Sequence, residues 1–250
     1  AMTLIAPTIA GVIYAIWGVG VVYVIIGCLA GTSLILTSMV QVTYVARRVE
    51  HKAVSTEMIE GLKYAMKSPI IRILILIGLA GALLLMPIRF LLPVLVVEIY
   101  HLRVDALGVL LSAMGVGALV GSLFIAWVGR WKRGGMLIVG TFASGIAMLL
   151  LAILPFYIAG ILLMLILGLG DAARRGLNQS LVMDQVSDVY RGRVMSIYMM
   201  NFGLMPLGVL PLGIIADVWG PQIAVGILGI ILTVVGVGLF STQITLRRMS

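Results

Sequence analysis

The chain has 250 residues, 62% of them hydrophobic and 10% charged, with a formal net charge of +8 and a mean hydropathy of +1.22. A soluble domain carries about 25% charged residues, so this composition describes a surface made to face lipid. The basic surplus lies in short gaps between apolar runs rather than on one face of a soluble domain, which argues against a nucleic-acid partner.

Strands of alternating polarity are absent, so an outer-membrane barrel is not expected, and helices remain as the way to satisfy backbone polar groups in lipid. Cys28 is the sole cysteine, which leaves neither a disulfide framework nor a cysteine metal site within one chain. His51 and His101 stand in separate loops without partners at ligand spacing, so no metal or other cofactor is expected. The first apolar stretch has no basic leader and runs on into further spans, unlike a cleavable signal peptide.

The sequence predicts an all-α polytopic membrane protein with about eight transmembrane helices. The first span covers Leu4 to Ile16 and the second Val19 to Val45, with Trp17 and Gly18 as the break between them. Ser55 to Lys67 reads as a short interfacial helix. Ser55 or Thr56 can cap it, Ile59, Leu62 and Met66 recur at helical spacing, and Glu57, Glu60, Lys63 and Lys67 keep the other face wet. Pro69 ends it. The later spans are Ile70 to Val97, Leu107 to Val128, Met136 to Leu154, Ile158 to Val182, Val194 to Ala216 and Ile223 to Ile244.

Loop charge sets the orientation. Arg47, Arg48, Lys52, Lys63, Lys67, Arg130, Lys132, Arg133, Arg191, Arg193, Arg247 and Arg248 fall on one side, against Arg103 on the other. By the positive-inside rule both termini are cytoplasmic. Gly11, Trp17 and Gly18 match Gly213, Trp219 and Gly220 at one constant spacing, and both sets close a span that runs outward. Parallel repeats of this kind build some transporters.

Ionisable residues at membrane depth are costly and mark functional candidates. The spans around Val24, Ile146 and Leu232 have none in their interiors, as expected of lipid-facing helices around a polar cavity. Asp171 lies mid-span, and Arg174 and Asn178 follow at i+3 and i+7, on one helix face. Asp171 can pair with Arg174 or Arg175. The cluster reads equally as a cavity lining for substrate or as an ion pair that locks helices. Arg89 lies between Pro87 and Pro93 in a helix expected to kink, directed either into the cavity or outward to the surface. Gly117 and Gly121 form a small-xxx-small pattern suited to close packing. A nucleophile paired with a base is missing from the spans, so an intramembrane enzyme is not expected.

The run Glu60-Gly61-Leu62-Lys63-Tyr64 through Ser68-Pro69 resembles the central loop of major facilitator superfamily exporters. Arg191-Gly192-Arg193-Val194-Met195-Ser196 resembles the loop entering their eleventh helix, and Pro206 to Gly220, with Gly213 and Asp217, is similar to that helix and its outer turn. The resemblance is to the drug, macrolide and siderophore exporters and covers nearly the whole chain. It implies an incomplete major-facilitator-type bundle comprising helices five to twelve of twelve. Residues 1–46 would be the last two helices of the N-terminal half, 47–69 a cytoplasmic linker and 70–250 the six-helix C-terminal half. One departure concerns the gate loop. Gly129 stands where the family often has aspartate, leaving Arg130 and Arg133 as its basic residues.

The resulting expectation is a secondary active transporter in the bacterial inner membrane, exporting small amphipathic molecules. Its partners would be a small-molecule substrate, protons as coupling ion and the lipid bilayer. The alternative is a non-transporting membrane scaffold or assembly partner, in which Asp171 and Arg174 are purely structural.

Overall fold

The structure, a computed structural model, describes residues 2–39, 54–103, 105–129 and 133–242. Arg130 of the expected gate loop lies outside the described residues, as do Arg47, Arg48, Lys52, Lys132, Arg247 and Arg248. Contacts divide the chain into two units, 1–52 and 53–250, each described by itself. Among the described residues, seven helical segments are long and apolar enough to cross a membrane, and the protein is an all-α integral membrane protein.

Among its described residues the first unit contains one helix, α1 (Met2–Ser38), of 37 residues. It continues through Trp17 and Gly18, where the sequence suggested a break. Both residues keep their backbone donors, so the hydrogen-bond ladder can cross Gly18 at a cost of about 1 kcal/mol in helix propensity. The helix is about 55 Å long, well beyond the hydrocarbon thickness of a bilayer. Gly20–Ser38, within it, is long and apolar enough to cross a bilayer.

The second unit opens with α2 (Val54–Lys67), followed by α3 (Pro69–Ala80). Ser68 separates them: its backbone is extended, its hydroxyl accepts from the Ile71 N–H at 3.5 Å, and Pro69 takes the first helical position, where a missing N–H costs nothing. The chain then takes a π turn at Gly81–Leu85, continues as α4 (Ile88–Val94) and takes a second π turn at Leu95–Ile99. Both turns accompany prolines. Pro87 cannot donate to Leu83, and the ladder widens just before it, with the Met86 N–H reaching the Gly81 carbonyl at 3.2 Å. Gly208 packs against that same Leu83 carbonyl. The kink expected between Pro87 and Pro93 is thus a pair of π turns flanking a short helix.

Among the described residues six helices complete the unit: α5 (Ala106–Val128), α6 (Arg133–Ile153), α7 (Tyr157–Gln185), α8 (Arg191–Gly203), α9 (Pro206–Trp219) and α10 (Pro221–Thr242). Sequence pattern reads α8 and α9 as one span. The structure breaks it at Leu204–Met205, because Pro206 cannot continue the α-helical ladder. α7 packs between α5 and α6, α6 also packs on α10, and α3 meets both α7 and α8. Half of α6 is buried in this way, while Val139, Phe142, Leu150 and Ile153 form its exposed apolar face.

Buried apolar side chains fall into two clusters. One runs from Leu85 to Tyr100 and takes in Leu110, Met148, Leu163, Leu167 and Leu228. The other joins Ile71, Leu74 and Ile77 to Leu137, Leu177, Leu181 and Val194.

α2 docks on α8 through a face that the sequence pattern does not single out. Its inward face is Gly61 and Ala65, small enough to let Arg193 approach, whereas Ile59, Leu62 and Met66 are exposed. Glu60, expected on the wet face, pairs with Arg193 at 2.9 Å. Tyr64 stacks on Tyr190 at 4.3 Å between ring centroids, and its hydroxyl accepts from the Ser187 N–H at 3.3 Å. Hydrogen bonding from Ser187, through its side chain and then its backbone, lowers the Tyr64 pKa from its ordinary value. Polar and aromatic contacts select this face. Tyr64→Ala should therefore loosen α2 by about 1 kcal/mol, so that amide hydrogen exchange across residues 54–67 quickens several-fold while α6 is unaffected.

Candidate functional site

The helical period of α7 places Asp171, Arg174 and Asn178 on one face, and all three are buried, at 3%, 3% and 0% relative exposure. Arg174 Nη2 donates to Asp171 Oδ1 at 2.8 Å. Arg175, one turn after Asp171, reaches Oδ2. Arg89, at the start of α4, stays partly exposed, and its Nη2 lies 3.8 Å from the same Oδ2. Three guanidiniums thus share one carboxylate. Sequence pattern offers Arg174 or Arg175 as the partner; the structure brings both, and Arg89 with them.

Two further elements close the site. The guanidinium of Arg174 lies directly over the Gly81 backbone, so close that a β-carbon there would overlap it. Asn178 Nδ2 donates to the Leu74 carbonyl at 3.0 Å and to the Tyr198 hydroxyl at 3.5 Å, and Asn201 Nδ2 donates to the Ile75 carbonyl at 3.3 Å. α3, α7 and α8 are therefore pinned together by side-chain amides. A cavity of about 10 Å³, the size of a single water, is lined by Gly78, Ala82, Met86, Arg174, Tyr198 and Asn201. Among the described residues, Arg174 Nε and Asn178 Oδ1 have no hydrogen-bond partner, and both are buried.

The depth of this cluster gives it its energetic weight. Along α7, Asp171 falls between Leu167 of the first apolar cluster and Ala173 of the second, and Arg174 and Arg175 lie between Ala173 and Leu177. Along the third-span segment, Gly81 and Ala82 fall between Ile77 and Leu85 in the same way. Asp171 and Arg174 are buried between the two apolar clusters, where ionic interactions are strong and unpaired charge is expensive.

Gly117 and Gly121 sit in the α5–α7 contact, Gly117 against the Leu165 carbonyl and Gly121 with a β-carbon position 2.7 Å from the Leu169 carbonyl. Gly168 of α7 meets the Met114 carbonyl from the other side. Arg133 caps this pair at its basic end: it donates to the Gly129 carbonyl at 3.0 Å and Ser180 at 3.1 Å, and reaches Asp184 at 3.3 Å. Gly129 ends α5 with φ +66° and ψ −125°, a conformation that an aspartate would adopt only under strain. The acidic partner in this region is Asp184 of α7.

Sequence reasoning missed Gly78, Gly81, Tyr198, Asn201 and Asp184. Gly78 and Gly81 are three residues apart and share a face, and Asn201 is the one side-chain amide in α8; those were the available signals. Among the described residues, no group of three histidine, cysteine or acidic side chains could hold a metal.

The sequence profile of the Major Facilitator Superfamily matches residues 1–207. The enterobactin exporter EntS of Citrobacter koseri is 26% identical over 202 residues, covering 78% of this chain and 47% of that protein. The chain spans about half the length of this curated relative. No solved structure matches it significantly.

Proposed function

The chain belongs to the Major Facilitator Superfamily, and on that premise we propose that it forms part of a secondary transporter exporting small amphipathic molecules from a bacterial cell, coupled to the proton gradient. Residues 1–46 would belong to the N-terminal half, 47–69 to the linker carrying α2, and 70–250 to the C-terminal half. The observation that carries this reading is the buried Asp171 cluster, set where α3, α7 and the interrupted span α8–α9 meet. Transporters place solute sites near the bilayer midplane beside discontinuous helices; the break between α8 and α9 and the charges buried within the α7 span support that reading. A static scaffold needs no charge in that layer, and apolar packing would hold it as well.

Export is tested in efflux-deficient cells that express the gene encoding this chain. Intracellular accumulation of an amphipathic panel should fall for some members, and an uncoupler that collapses the proton gradient should restore it. Efflux that persists after the gradient has collapsed would contradict proton coupling. Unchanged accumulation across the panel would contradict transport.

The Lys- and Arg-rich loops should face the cytoplasm. In a Cys28→Ser background, Phe156→Cys, in the short loop before α7, should react with an impermeant maleimide added to intact cells. Val189→Cys, in the loop after α7, should react only once the membrane is opened. Both positions are exposed, so burial does not confuse the result. Labelling of Val189→Cys from outside would invert the topology.

A further inference from the structure

We propose that Arg89, Arg174 and Arg175 recognise an anionic group on the transported molecule, so that the solute is an acidic amphipath. This deepens the transport reading and rests on it. Among the described residues, Asp171 is the one carboxylate within salt-bridge distance of these three guanidiniums. A carboxylate has about four acceptor sites, whereas three guanidiniums present about fifteen N–H donors and are always protonated. Asp171 therefore leaves a surplus of positive charge between the two apolar layers, together with many unused donors.

The unused capacity has a location. Arg174 Nε is buried and has no acceptor, and its side chain borders the small cavity. The side chains of Arg89 and Arg175 are 44% and 34% exposed, so they are the two reachable by an incoming ligand. Tyr198 and Asn201 add a hydroxyl and an amide on the far wall, and Met86, Ala82 and Phe202 add apolar surface for the body of an amphipath. A carboxylate, sulfonate, phenolate or phosphate fits this chemistry through bidentate guanidinium contacts. A lipophilic cation meets repulsion in a low-dielectric layer and is rejected. The cavity admits only a water-sized group, so the anion engages the exposed Arg89 and Arg175.

The test compares protection of efflux-deficient cells against three probes: fusidate, which is anionic, chloramphenicol, which is neutral, and ethidium, which is cationic. Expression of the wild-type gene should protect best against fusidate and least against ethidium. Arg175→Gln should lower the ratio of fusidate to chloramphenicol protection by about tenfold, the effect of losing one charge-assisted contact. Arg175→Lys, which keeps the charge, should hold the ratio well above that of Arg175→Gln. Thermal melting in detergent checks each variant for folding. Should Arg175→Gln fail to fold, Arg89→Gln, more exposed and farther from Asp171, carries the same comparison. Protection that favours ethidium or chloramphenicol, or a fusidate ratio unaltered in the folded glutamine variants, overturns the anion site while leaving transport intact. Protection against none of the three overturns the transport reading, and this inference with it.

Discussion

Gly117→Ala should lower the melting temperature of the detergent-solubilised protein, whereas Gly108→Ala on the same helix should raise it. In open helix an alanine is more favourable than glycine by about 1 kcal/mol, and a β-carbon at Gly108 meets nothing within 4 Å. At Gly117 the same atom would lie on the Leu165 carbonyl of α7. Backbone cannot rotate away as a side chain can, so the helices must separate. The loss should exceed the intrinsic gain and reach about 3 kcal/mol or more. Gly168→Ala approaches the Met114 carbonyl from the opposite helix and should behave like Gly117→Ala. The opposite signs of substitutions within α5 distinguish backbone contact from a general intolerance of change in membrane helices.

Asp171→Asn should be the most damaging change of a single charge. Asparagine keeps the shape and part of the hydrogen bonding but removes the one counter-charge, among the described residues, of a 3%-exposed Arg174. Removing one partner of a buried pair costs about 3–5 kcal/mol, because the other charge is left stranded. The yield of folded protein and its melting temperature should both fall sharply. Asp105→Asn is the contrast: its pair with Arg103 at 3.6 Å joins two exposed side chains, and its loss should be close to undetectable.

The helical class was legible because lipid leaves so few ways to satisfy a backbone, and spans such as α5, α7 and α10 follow directly from their apolar length. Breaks within helices were harder to read. Trp17-Gly18 looks like a turn, yet neither residue removes a donor, and α1 runs through it. Pro206 does remove one, and the chain breaks there. The docking face of α2 was not legible, because Ile59, Leu62 and Met66 give its only apolar period. At a membrane surface an apolar stripe need not be buried against protein, and Glu60, Tyr64 and the small residues Gly61 and Ala65 decided the docking instead. At the site, α7 was legible from helical period alone, since Asp171, Arg174 and Asn178 fix their own relative positions. The partners supplied by other helices were not. Gly81 matters because it lets the Arg174 guanidinium lie on the backbone, and Tyr198 because it meets Asn178, contacts that no local pattern encodes.

Whether the Asp171 cluster moves a solute or merely holds helices together is decided by separating folding from export. Asp171→Asn combined with Arg174→Gln removes the carboxylate and the most deeply buried guanidinium together, which relieves the stranded charge. Thermal melting should recover most of what Asp171→Asn loses, and the protein should again be found folded in the membrane. Export measured in the same cells should remain lost, since the recognition of solute depends on the group that was deleted. Export restored to the wild-type level in this well-folded double variant would contradict the transport role and leave the cluster as a structural lock.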